Sequence, residues 1–249
     1  MSLHLLFEPF EHVDAWLTGL LEGAPLLVAL AIAFILGLRH ASDPDHLVAV
    51  TSLVAADDGD TRRAARIGAW WGIGHGGTLL AIGLPLILLK SQLPAWLETG
   101  AERAVGVVVV LLATRVLVKW KRGDYRAGTH AAAEPLHGSH RHLRRGPGRR
   151  HAHVRVRTPG QALAIGTLHG LAGTGAVVLL LIAALPTKLE AAAALFVFAP
   201  MSVVSMALCT GAFAWILTRP ALEPVYRTLL IPAFGAFGVL FGTTYVGGM

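Results

Sequence analysis

Residues 25–54 read PLLVALAIAFILGLRHASDPDHLVAVTSLV, an apolar run broken only by Arg39, His40, Asp43, Asp45 and His46, five ionisable residues within eight positions. About 20 apolar residues of helix cross the hydrocarbon of a bilayer, so the run is long enough to span one. Ionisable groups at membrane depth are costly unless they face a polar interior and find partners. The cluster is therefore either a site or a buried polar network that pins helices together.

Working outward, comparable runs lie at about 67–89, 105–118, 160–185, 189–217 and 229–247, which makes six spans. Hydrophobic residues form 54% and charged residues 14% of the 249, and the mean hydropathy is +0.60. A soluble core of this size could not hide that much apolar side chain, so the bilayer is the solvent. The expected fold is an all-α integral membrane protein, a single transmembrane domain over 1–249. Residues 1–22 hold no Lys or Arg but carry Glu8, Glu11, Asp14 and Glu22, unlike the positive start of a cleavable signal. Leu6, Phe10, Val13, Leu17 and Leu20 recur at helical spacing, which predicts an extracytoplasmic amphipathic helix over 4–21 lying in the interface. With Cys209 alone, there is neither a disulfide framework nor a thiolate cluster.

Eleven of the 21 Lys and Arg residues fall within 119–157, and connections rich in them stay cytoplasmic. Alternation then places Arg62, Arg63, Arg66, Arg219 and Arg227 inside and both termini outside. The basic pI of 10.1 follows from this asymmetry and from contact with anionic lipid, without nucleic acid. Gly37-Leu-Arg-His40 and Gly166-Thr-Leu-His169 look like two copies of one element, each followed by a small residue. Three spans, an odd number, separate them. Halves 23–121 and 159–249 would thus be inverted three-helix repeats, joined by a His/Arg-rich loop over 122–158, as in many secondary transporters. Chance similarity of Gly/Ala-rich helices is the plain alternative.

On an ideal helix His40, Asp43 and His46 share a sector of about 120°, given ~100° per residue. Pro44 lacks an N–H, which would leave the His40 carbonyl without its helical partner and free to act as a ligand. Imidazole plus oxygen donors without thiolate suit nickel, copper, zinc or iron(II) better than calcium or magnesium. His75, among Gly72, Gly74, Gly76 and Gly77, could reach this cluster from a closely packed helix; taken alone it would more often be an interhelical hydrogen bond. The same holds for His169, a secondary candidate with Ser202, Ser205 and Arg39. Arg39 could instead neutralise an Asp, and serines in membrane helices usually join helices. His130, His137, His140, His142, His151 and His153 stand among Arg, Gly and Pro in a stretch expected to lack regular structure, where they suit a transient metal buffer.

The string His40-Ala-Ser-Asp-Pro-Asp45-His46 resembles the His-x4-Asp-His signature of the bacterial nickel/cobalt transporter family, and GIGHGGT around His75 is similar to that family's second motif, with Gly76 where the family has Ser. The resemblance implies that His40, Asp45, His46 and His75 recognise the metal, with Asp43 inside the signature. The second half departs from the family's Asp-Thr-Ala-Thr-Glu type of motif and offers His169-Gly-Leu-Ala-Gly-Thr-Gly, which with the shorter chain looks more like the six-helix, urease-accessory type of permease.

The resulting expectation is inward secondary transport of Ni2+ or Co2+ across a bacterial inner membrane. The metal is cargo, no prosthetic group is needed, and a cytoplasmic metallochaperone is a candidate partner. No G-x-x-x-x-G-K-[ST] loop for a nucleotide occurs. Two rivals remain: an intramembrane metal-dependent hydrolase or acyltransferase using His40-x4-Asp45, and a sensor that binds metal without moving it.

Overall fold

The computed structural model describes residues 16, 19–21, 23–43, 46–50, 61–123, 126–130, 140–144, 158–217 and 219–247. Most of the amphipathic helix expected over 4–21 lies outside them, as do Pro44, Asp45, His137, His151 and His153.

Helix α1, Leu26–Arg39, runs into a 3-10 turn, His40–Ser42, and helical backbone resumes over 46–50. Then come α2 (Thr61–Leu89), α3 (Ala95–Lys121), α4 (Pro159–Ala184), α5 (Lys188–Leu217) and α6 (Tyr226–Gly247). Of these, α2, α4, α5 and α6 are long and apolar enough to cross a membrane, at 29, 26, 30 and 22 residues. The shortest spans about 33 Å at 1.5 Å per residue, enough for a ~30 Å hydrocarbon core. α1 is a shorter apolar helix, and α3 has the length but carries Glu98, Glu102, Arg103, Arg115, Lys119 and Lys121. Leu27, Phe34, Ile73, Leu111, Leu179, Phe196, Leu208 and Leu240 are exposed. Apolar surface on that scale marks a protein whose outer solvent is lipid.

Between α3 and α4 the expected absence of regular structure gives way, in the described residues, to two antiparallel strands. β1 (Arg126–His130) pairs with β2 (His140–Arg144), setting His142 opposite Gly128 and His140 opposite His130.

Local sequence explains where the helices start, widen and stop. The Thr158 hydroxyl accepts from the Gln161 N–H while Gln161 accepts from the Thr158 N–H, and Thr187 and Glu190 repeat this reciprocal cap for α5. Each of two π turns, Leu79–Gly83 and Tyr226–Leu230, ends two residues before a proline, Pro85 or Pro232. A proline has no N–H for the carbonyl four residues back, and the wider turn absorbs that mismatch.

The chain divides into two compact units, residues 1–43, 71–102 and 163–206 in one and 44–70, 103–162 and 207–249 in the other. The first unit's core gathers Ala29, Ile32, Leu79, Ile87, Val178, Leu195 and Phe198. Leu21 joins it, whereas Leu20, expected on the apolar face, is exposed. Glycine lets the helices there approach backbone to backbone. A methyl on Gly166 of α4 would collide with the Trp71 carbonyl of α2, and one on Gly37 of α1 would lie 2.5 Å from the Phe198 carbonyl of α5. In the second unit α6 packs on α3 through Gly242 against Val110 and Gly235 against Leu117, and the Trp120 indole donates to the Arg227 carbonyl at 2.7 Å.

Candidate metal centre

The first helix does not carry the cluster in regular helical geometry. The residue before a proline is pushed out of the helical region, and Asp43, preceding Pro44, is extended at φ −62°, ψ 143°. Helix α1 therefore stops at Arg39, and the 120° sector of an unbroken helix is not formed. The His40 carbonyl, expected to be freed by Pro44, accepts the Asp43 N–H at 3.2 Å instead.

The break turns the His40 ring toward α2. Its Nε2 lies 2.9 Å from Nε2 of His75, and the ring centroids are 4.8 Å apart. On the other edge, His40 Nδ1 is 3.1 Å from a carboxylate oxygen of Asp43, whose second oxygen lies 3.5 Å from the Arg39 guanidinium. A carboxylate at Nδ1 holds the proton there and leaves Nε2 as the lone-pair nitrogen, the arrangement that presents an imidazole to a metal. Two imidazole nitrogens about 2.1 Å from one ion stand roughly 3.4 Å apart at a tetrahedral angle. The 2.9 Å pair is close to that spacing. Asp43, expected as a ligand, pairs in this structure with the His40 ring and with the Arg39 guanidinium.

His75 is 1% exposed and His169 is 5% exposed. His75 is placed by α2 packing against α4, where a methyl on Gly170 would come within 2.5 Å of the His75 carbonyl. The His169 ring centroid is 6.3 Å from that of His75 and 6.0 Å from Trp71, which meets it edge-on. His46, 2% exposed, opens the helical stretch 46–50.

Both serine candidates are engaged with backbone. The Ser205 hydroxyl accepts the Ala41 N–H at 3.2 Å and donates to the Leu38 carbonyl, clasping the break in α1 to α5. The Ser202 hydroxyl donates to Ala199 within its own helix at 2.7 Å. Two aromatic residues that the sequence does not single out border these rings: Phe198, 5.3 Å from the His40 ring, and Trp71 beside His169. Their only signal is an aromatic one turn before Ser202 and one turn before His75, which lipid-facing aromatics share. Of the loop histidines, His130, His140 and His142 fall in the two strands.

Long apolar helices carrying a close imidazole pair between α1 and α2 define a class, an integral membrane protein. The particular family follows from the sequence. Residues 26–228 match the family model described as high-affinity nickel-transport protein, and the chain belongs to that family. It is 28% identical over 235 residues to a urease accessory protein, UreH, of Bacillus sp. (strain TB-90), covering 91% of this chain and 93% of that one. It is 31% identical over 110 residues to a high-affinity nickel transport protein of Cupriavidus necator, covering 43% of this chain and 31% of that one. A chloroplast protein of Arabidopsis thaliana, FOR GROWTH AND FERTILITY 1, is 33% identical over 101 residues, 40% of this chain and 24% of that protein. No solved structure matches.

Proposed function

We propose that this protein carries Ni2+, with Co2+ as the close alternative, inward across the bacterial cytoplasmic membrane as a secondary transporter. The observation that carries the reading is the His40–His75 nitrogen pair, oriented by Asp43 and set among apolar helices. We assign His46, six residues beyond His40, to the same donor set by its place in the signature. Asp45 joins them by its place in the signature. The family and the nickel-transport and urease-accessory names of the relatives support the cargo and a role in supplying nickel to urease.

The ion is cargo, no prosthetic group takes part, and the protein acts as a carrier and not as a hydrolase. A membrane potential of 100 mV contributes about 2.3 kcal/mol per charge, so a divalent cation gains about twice that on entering. The His/Arg-rich loop faces the cytoplasm, buffers the arriving ion and passes it to a metallochaperone, while both termini lie outside.

The topology proposed is six spans in two inverted halves, with α1 and the resumed helix at 46–50 as one broken span and α3 as another, Arg103 and Arg115 snorkelling outward. Reciprocal contacts support the inversion. Gly37 of α1 meets Phe198 of α5, and Gly166 of α4 meets Trp71 of α2. The numbering shift that carries Trp71 onto Phe198 also carries Gly72 onto Ala199 and Gly76 onto Val203, and Gly72 packs on Val203 as Gly76 packs on Ala199.

The test is nickel accumulation in proteoliposomes held inside-negative. Wild-type protein accumulates nickel and His46→Ala does not; wild-type flux in that variant removes His46 from the site, and no flux of nickel or cobalt in wild type removes the transport reading.

A further inference from the structure

We propose that His169 is a second station for the same cation, reached by exchange across His75. The proposal rests on the transport reading above. His75 has two imidazole neighbours, its ring centroid lying 4.8 Å from that of His40 and 6.3 Å from that of His169. Rings that share one ion through nitrogens about 2.1 Å from it have centroids roughly 5 Å apart at a tetrahedral angle and about 6.5 Å apart when opposed. Small ring movements therefore let His75 share an ion with either neighbour.

The surroundings of the two outer histidines correspond. His40 ends Gly37-Leu-Arg-His40 and lies against an aromatic of α5, Phe198; His169 ends Gly166-Thr-Leu-His169 and lies against an aromatic of α2, Trp71. The correspondence fails at one position. The residue of α5 that matches His75 is Ser202, whose hydroxyl is bonded to Ala199. His169 is the one histidine of 159–249, and the imidazole it neighbours is that of His75 on α2. A cation that trades His40 for His169 keeps one nitrogen ligand throughout, so it crosses between the halves without taking back its full water shell. The ligand class is a divalent transition cation with imidazole affinity. An alkaline-earth ion, which prefers oxygen donors, would be refused at this step.

Full-length protein decides the matter by two readouts, equilibrium nickel binding in detergent and nickel uptake into proteoliposomes. His169→Gln should bind nickel within about threefold of wild type yet lose about tenfold or more in uptake. His169→Cys, which restores a metal donor of similar bulk, should recover part of that uptake. Wild-type uptake by His169→Gln overturns the second station. Binding lost in parallel with uptake overturns it too, by placing His169 in the first site. Equal uptake by the Gln and Cys variants shows a packing role only and overturns it as well. Wild-type protein that neither binds nor moves nickel brings down the transport reading itself, a result distinct from all three.

Discussion

The two Gly-x-x-His elements begin alike and end differently. After His40 come Ala41, Ser42, Asp43 and Pro44; after His169 come Gly170, Leu171, Ala172 and Gly173. One proline and one carboxylate separate their fates. The first element leaves the helix at Arg39, turns through a 3-10 segment and sets Asp43 against its imidazole, whereas α4 runs unbroken over Pro159–Ala184 and offers His169 no carboxylate within its own turn. A common packing frame, glycine against a neighbouring carbonyl, is thus compatible with two settings for a histidine, one with a carboxylate at its ring and one with rings of a neighbouring helix beside it.

The largest effect expected from breaking this comparison is at Asp43. Asp43→Asn removes the carboxylate beside His40 Nδ1 and should weaken nickel binding by about 10- to 100-fold, while Ala172→Ser, three residues after His169 as Asp43 is after His40, should leave it within about threefold. Titration calorimetry on the purified protein measures both, and equal affinities for Asp43→Asn and wild type would end the orienting role.

The packing frame comes next. Gly166→Ala drives a methyl into the Trp71 carbonyl and should cost about 1–3 kcal/mol, read as a lower melting temperature in detergent. Gly77→Ala, where nothing lies within 4 Å of the added methyl, should be neutral or raise stability by up to about 1 kcal/mol. If both variants melt alike, close backbone approach does not hold α2 to α4.

The smallest difference concerns the serines. Ser205→Ala unties the break in α1 from α5 and should cost about 1 kcal/mol, and Ser202→Ala, which loses only a bond within its own helix, should cost less. The same melting measurement compares them, and the reverse order would show that Ser205 is not the clasp.

How far the sequence could be read differs from residue to residue. The apolar runs were legible because bilayer thickness sets a length that a helix must meet, and α2, α4, α5 and α6 all meet it. The cluster was legible because ionisable groups stand out against Leu, Ile and Val. Pro44 marked the His40 carbonyl as one that loses its helical partner, but proline also drives Asp43 out of the helical region, and the Asp43 N–H then takes that carbonyl. Arg39 against Asp43 was one of the readings open from the start. The serine roles, Phe198 and Trp71 were not legible, since each depends on which residue of a distant helix stands opposite.

Composition, span length and the pairing of Asp43 with Pro44 were determined by the sequence alone, because they depend on transfer to lipid and on backbone sterics between chain neighbours. That His40 meets His75 through Nε2, that Ser205 holds the break and that His169 lies beside His75 were decided only in the tertiary structure. Those contacts join residues 35 to 167 positions apart or more than one helix away, and they exist because glycine-lined helices approach closely enough for their side chains to touch.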